Sequence, residues 1–108
     1  FDTQESVVED ARANGISREA RTACAKTFMD AIAAEGYKAA LYTNTRWSVF
    51  KLDMSQLKDY AFWYAYYGDV PTYPYHYDMW QYTNAGTVDG IEGNATLSIS
   101  LVNYGSAE

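Results

Sequence analysis

Lys38-Ala39-Ala40-Leu41-Tyr42-Thr43, entered through Gly36-Tyr37, is the stretch that decides how this chain folds. It is a compact apolar run without alternation, the pattern of a strand buried on both faces of a parallel sheet. Before it the sequence predicts a helix. Ser17 can cap the orphan N–H groups, Glu19 suits the positive end, and Gly36 supplies the exit. Between them Ala20, Cys24, Phe28 and Ile32 recur every four residues, flanked by Ala23 and Ala31. That spacing predicts one apolar stripe packed on something flat, with Cys24 a buried structural thiol. Further upstream a short helical turn is expected from Ser6 to Ala13, stopped by Asn14-Gly15.

Downstream, Asp53 or Ser55 can cap a short helix through Leu57 to Tyr60, and Ala61 to Tyr67 reads as the next strand. The helix-then-strand rhythm therefore repeats once. After Gly68 it stops: a loop rich in Pro and Tyr, Pro71-Thr72-Tyr73-Pro74-Tyr75, leads to Met79-Trp80-Gln81-Tyr82 with no room for a helix between. Asn84-Ala85-Gly86 predicts a turn. Leu97, Ile99 and Leu101, alternating with Ser98, Ser100 and Val102, predict a half-buried strand. The expectation is an α/β protein whose tail is a small antiparallel set.

The 108 residues suffice for one hydrophobic core and are too few for two domains. Fourteen acidic against eight basic residues give a net charge of −6, which argues against nucleic acid as a partner, because Lys and Arg must replace the phosphate counterions. The apolar stretches, such as Ala61 to Tyr67, are far shorter than the roughly 20 residues that span a bilayer. One cysteine cannot form an internal disulfide, and no CxxC pair is present to hold zinc or run redox chemistry. No GxGxxG or GxxxxGK[ST] loop supports nucleotide binding.

Eight of the eleven tyrosines, with Trp63 and Trp80, lie between Tyr60 and Tyr82. Such rings suit the C–H faces of sugars as well as a core. Trp47 follows Thr43-Asn44-Thr45-Arg46 directly after a predicted parallel strand, where α/β folds place ligands. Asp2, Glu5, Asp69, Asp78, Asp89 and Glu92 are the acidic candidates for glycoside hydrolysis, which needs two carboxyl groups about 5–9 Å apart. His76 is the only histidine, and no G-x-S-x-G elbow supports a Ser-His-Asp triad around it.

Phe28-Met29-x-x-Ile32 with Gly36-Tyr37, then Leu41-Tyr42-Thr43-Asn44 and Trp47, Trp63-Tyr64-Ala65-x-Tyr67, Met79-Trp80-Gln81-Tyr82-Thr83, and Val88-Asp89-Gly90-Ile91-x-Gly93-Asn94 together resemble family 25 glycoside hydrolases, the Chalaropsis-type lysozymes. The resemblance runs from about Ala20 to Asn94. It implies a modified TIM-like β/α barrel whose last strands are antiparallel, with this chain holding only the C-terminal half. It implies hydrolysis of the β-1,4 bond between N-acetylmuramic acid and N-acetylglucosamine in peptidoglycan, with no metal or organic cofactor, and a secreted or wall-associated protein, or a phage endolysin. Tyr42, Trp47, Tyr67 and Trp80 would line the glycan groove with Gln81 beside it, while Val88-Asp89-Gly90 and Gly93 would serve turn geometry.

The chain's start, Phe1-Asp2-Thr3, reads as the middle of a domain, and open sheet edges would then pair with an N-terminal half or a second copy. The family's central motif, D-x-E, has two placements. In one, Asp2-Thr3-Gln4 is the motif with glutamine in the place of the acid, and an amide has no proton to give. Glu5 is no obvious substitute, since neighbouring strand residues face opposite ways. In the other, which is preferred because it matches the aromatic at Phe1, the catalytic pair lies just upstream. Thr96 stands where the family usually carries an aspartate, a further departure. The leading expectation is a peptidoglycan muramidase domain that does not cut glycan as this chain alone. The rival expectation is a degenerate barrel that binds cell-wall glycan.

Overall fold

The long helix forms where its caps predict. In the computed structural model, which describes residues 1–106, α1 spans Arg18–Ala34 and the Ser17 hydroxyl accepts from the Ala20 N–H at 3.1 Å. Gly36 ends it at φ 91°, a conformation in which a Cβ would be strained. The buried face of α1 is not the predicted one. Arg21, Thr22, Ala25 and Met29 point inward, while Ala20, Ala23, Cys24 and Ala31 are exposed and Phe28 is about half exposed. Cys24 is thus a surface thiol, not a core one. The helix is turned by one residue because its polar residues have partners beneath it. Thr22 Oγ1 accepts from the Asp53 N–H at 2.9 Å, and Arg21 donates to the carbonyls of Lys51 and Ala13 at 3.2 and 3.0 Å.

Four strands follow, β1 (Ala40–Asn44), β2 (Ala61–Ala65), β3 (Met79–Val88) and β4 (Ile91–Ser100), forming one sheet in that order. β1–β2 and β2–β3 are parallel and β3–β4 is an antiparallel hairpin, so only the last pair of the tail is antiparallel. Phe1–Thr3 adds a short parallel segment to the other edge of β1: Tyr42 N–H donates to the Phe1 carbonyl at 2.8 Å and Thr3 N–H to that of Tyr42 at 3.1 Å.

One face of the sheet is covered. Leu41 joins Ala25, Met29, Leu52 and Leu57 under α1, while Phe62, Tyr64 and Tyr73 form a second cluster with Trp80 against it. Much of the aromatic band is therefore packing, with Tyr64 stacked on Tyr73 at 4.9 Å. The opposite face lies half open, so β1 alternates between buried Leu41 and Thr43 and half-buried Ala40, Tyr42 and Asn44, and is not buried on both faces as predicted. A mixed four-stranded α/β sheet is what these residues form; the strands do not close into a barrel.

Several local expectations are corrected. Ser6 to Ala11 is not helical, because the Asn14 side chain takes its backbone groups: it accepts from Ser6 N–H at 3.0 Å and donates to the Ser6 and Val8 carbonyls at 3.2 Å. A 3₁₀ turn at Arg12–Gly15 takes the place of the predicted one. The helix predicted toward Tyr60 shortens to a 3₁₀ turn, Met54–Gln56, capped by Asp53. Asn84-Ala85-Gly86 does not turn the chain but lies inside β3, where successive register shifts absorb it as bulges. The hairpin reverses instead at Asp89-Gly90, with Gly90 at φ 89° and Gly93 at φ 80°, the positions read as turn geometry. Ile99 and Leu101 are exposed, and only Leu97 of that alternating set is half-buried.

Candidate functional site

Side chains from neighbouring strands converge over the open face. Register pairs Asp2 with Tyr42, Tyr42 with Trp63, and Ala65 with both Asn44 and Gln81, so all of these stand on one side of the sheet. Tyr67 arrives from the loop just after β2. Its hydroxyl donates to Gln81 Oε1 at 2.5 Å, and the Tyr42 hydroxyl donates to the same oxygen at 2.6 Å. Between the strands Ala65 contributes only a methyl, which leaves space above the sheet. A cleft of about 330 Å³ opens there, lined by Gln4, Tyr42, Asn44, Ala65 and Tyr67 among others. A second hollow of about 500 Å³ continues past Asp2, Tyr42 and Trp63 to Phe28 and Ile32 of α1.

At the flank, Gln4 Nε2 donates to both carboxylate oxygens of Asp2, at 3.1 and 3.2 Å. Residues two apart on an extended segment share a face, so this pair borders the Tyr42 cleft. Burial, followed by the neighbouring Tyr67 hydroxyl and the charge of Asp2, pushes the Tyr42 phenol well above the ordinary tyrosine range. It stays a neutral donor. Trp63 packs edge-on to Tyr42 at 5.1 Å and its indole N–H donates to Ser98 Oγ at 3.1 Å.

The structure thus brings together Asp2, Gln4, Tyr42, Tyr67 and Gln81, and leaves two predicted groove residues elsewhere. Trp47 is 3% exposed, with the Arg21 guanidinium 4.4 Å above its ring, so that face stacks on a cation and not on a sugar. Its position follows from Asn44, whose side chain accepts from the Trp47 N–H at 3.0 Å and starts the π-helical turn Trp47–Lys51. Trp80 lies on the covered face, donating from Nε1 to the Tyr66 carbonyl at 2.8 Å. Trp63 is the residue that sequence reasoning missed. Its signal was the strand period, which sets it opposite Phe62 and Tyr64.

The other acidic candidates have separate places. Asp78 accepts from Phe62 N–H at 2.8 Å and contacts His76 Nε2 at 2.8 Å, pinning the starts of β2 and β3 at the far end of the sheet from Tyr67. Glu5 pairs with Arg46 at 3.3 Å, Asp89 and Glu92 sit at the exposed hairpin tip, and Asp69 is an exposed loop residue. Thr96 is exposed on β4. A third cavity, of about 490 Å³, opens on the covered side near Leu52, Tyr73 and His76; its one carboxylate, Asp53, is held by Ser55 and Gln56. The candidate site is the open face, where the side chains of Asp2, Gln4, Tyr42, Tyr67 and Gln81 meet. Among the described residues no group of three or more His, Cys, Asp or Glu could hold a metal ion, and no helix is long and apolar enough to cross a membrane.

The aromatic and amide cleft lies toward the C-terminal ends of the parallel strands β1 and β2 of this mixed α/β sheet. The sequence matches the model of glycosyl hydrolases family 25 over residues 2–91, and the chain belongs to that family. A crystal structure of the CTP1L endolysin, whose activity is regulated by a secondary translation product, superposes with a TM-score of 0.64 at 30% identity. The match covers 73% of this chain and 29% of that one, so the chain spans less than a third of that protein's length. No curated protein matches it.

Proposed function

We propose that the open-face cleft binds peptidoglycan glycan strands, and that the four strands form one arc, the C-terminal half, of a modified β/α barrel of the lysozyme type. The observation that carries this reading is the convergence of Asp2, Gln4, Tyr42, Tyr67 and Gln81 on one face, toward the ends of parallel strands where α/β folds take ligands. Family membership and the similarity to an endolysin support it. The substrate bond is the β-1,4 link between N-acetylmuramic acid and N-acetylglucosamine, and the protein works outside the membrane, secreted or wall-associated.

Cleavage of such a bond needs a carboxylic acid to protonate the leaving oxygen and a second carboxylate across the bond. Asp2 offers a carboxylate at the cleft. Two residues on, Gln4 shares its face and donates to it. This geometry favours reading Asp2-Thr3-Gln4 as the D-x-E segment with the acid replaced by an amide. Such a site holds glycan but withholds the proton, a loss of roughly 100- to 10,000-fold. The 108-residue chain is accordingly a glycan binder that does not cut.

The test is co-sedimentation with insoluble peptidoglycan, run beside an assay for released reducing ends. Expected are retention of the chain, weakened retention for Tyr67→Ala, and no product. Absence of binding overturns the glycan reading, and product release by the isolated chain overturns the role given to Gln4.

A further inference from the structure

Most polar side chains lining the cavity of about 490 Å³ on the covered side already have partners. Ser48 donates to the Thr45 carbonyl at 2.9 Å, Ser55 to Asp53 and Tyr60 to Asp30, while His76 contacts Asp78 at 2.8 Å. Tyr73 is the exception in the interior. It is 8% exposed and its ring stacks on Tyr64, yet its hydroxyl makes no hydrogen bond to a described residue. No buried side-chain nitrogen or oxygen among those residues lacks a partner, so this hydroxyl is not sealed in; it opens into the cavity that Tyr73 lines. A hydroxyl on so buried a side chain, free to donate or accept, calls for a polar group to meet it. At the mouth, Arg18 commits its Nε to the Leu52 carbonyl at 3.1 Å, and its charge is offset by Asp53, whose oxygens are held by Ser55 and Gln56. Lys58 is exposed there and pairs with no described residue, which leaves one uncompensated cation.

The rest of the wall is apolar, with Leu52, Leu57 and Phe62 all buried. Phe62 meets Tyr73 edge-on at 5.6 Å, and Tyr73 meets the exposed Tyr75 ring edge-on at 5.4 Å. A planar ring entering beside them extends the same edge-to-face series, which aromatic pairs favour over a flat sandwich. We infer that this cavity is a binding site for a small aromatic carboxylate that carries a hydroxyl on its ring: the ring rests against Phe62 and Leu57, the carboxylate faces Lys58, and the ring hydroxyl meets that of Tyr73. The volume falls within the roughly 300–1,000 Å³ of small-molecule sites. A cationic ligand would meet Lys58 as a like charge and find Asp53 already engaged. The cavity lies on the side of the sheet away from Tyr42 and Tyr67, so the assignment needs nothing of the glycan reading.

The experiment is NMR titration of the 108-residue chain with 3-(4-hydroxyphenyl)propionate and with 3-phenylpropionate, following the backbone amides. Molecules of this size should bind with a Kd of about 1 to 5 mM, and the shifts should gather on the Leu52 to Lys58 segment and around Tyr73. Wild type should hold the hydroxylated probe about fivefold more tightly, the usual return on one neutral hydrogen bond. Tyr73→Phe keeps the ring and its stack on Tyr64, and should remove that preference while leaving the plain probe bound as before. Lys58→Gln, a change at an exposed side chain, should weaken both probes about two- to fivefold and leave the preference intact. Equal affinity for the two probes in wild type, or a preference that survives Tyr73→Phe, overturns the role given to the Tyr73 hydroxyl. Unchanged affinities in Lys58→Gln overturn the carboxylate. Shifts confined to residues outside the cavity, or no saturable shift up to about 20 mM, overturn the site itself.

Discussion

Replacing Gln4 by Glu turns an attraction into a repulsion at known distance. In the wild type the Gln4 amide donates to the Asp2 carboxylate oxygens at 3.1 and 3.2 Å. In Gln4→Glu two carboxylates would meet there. Both side chains are exposed, so the dielectric of water applies, and unit charges at that spacing repel by about 1.3 kcal/mol. Converted at about 1.4 kcal/mol per pKa unit, the introduced carboxyl should titrate about one unit above the ordinary glutamate value of about 4.3. Carbon-detected NMR titration of the side-chain carboxyl reads this directly. Raising the salt to about 1 M should shrink the elevation, because the screening length falls to about 3 Å. An introduced carboxyl that titrates at or below the ordinary glutamate value would refute the reasoning, since it would mean that the two side chains do not share a face in solution. The same variant bears on chemistry: near pH 5 it holds a proton that an amide lacks, so any gain in glycan cleavage should appear on the acid side and fade toward neutrality.

Other expectations concern stability. Arg21→Lys should cost about 1–3 kcal/mol in urea denaturation, because one ammonium cannot both reach the Lys51 and Ala13 carbonyls and lie flat on Trp47; an unchanged midpoint would show that this fork carries little. Asp78→Ala should leave the Phe62 N–H without its acceptor and speed that amide's hydrogen exchange, with Asp78→Asn, which keeps an oxygen there, restoring protection. Burial raises the phenols of Tyr42, Tyr64 and Tyr104 above the ordinary value of about 10. The unfolded chain therefore loses these protons first, so stability is full below about pH 10 and falls as pH rises beyond it. Melting temperatures that hold constant or climb from pH 9 to 11 would contradict this.

Much of the helix was legible because its signals are local. Ser17 and Gly36 act on backbone groups within one turn of themselves, and no distant residue alters what they can do. The inward face of the same helix was not legible. Hydrophobicity pointed to Ala20, Cys24, Phe28 and Ile32, whereas Thr22 and Arg21 are buried because backbone groups near residues 13, 51 and 53 receive them. Asn84-Ala85-Gly86 shows the same limit in a strand: its residues tolerate a turn, but pairing with β4 stabilised bulges in its place.

The residue types and motif order were enough to place the chain in its family, and among the residues they offered as candidates Tyr42, Tyr67, Gln81, Asp2 and Gln4 converge on one face of the sheet. They could not separate these from Trp47 and Trp80, which carry the same aromatic chemistry at similar distances along the chain. Only the sheet did that, since register and the side from which α1 packs decide which rings meet solvent. Local composition determined the elements, their order and the family. The tertiary structure decided which faces of those elements are open and brought Gln81 within hydrogen-bonding reach of Tyr42 and Tyr67, because both depend on contacts between residues far apart in sequence.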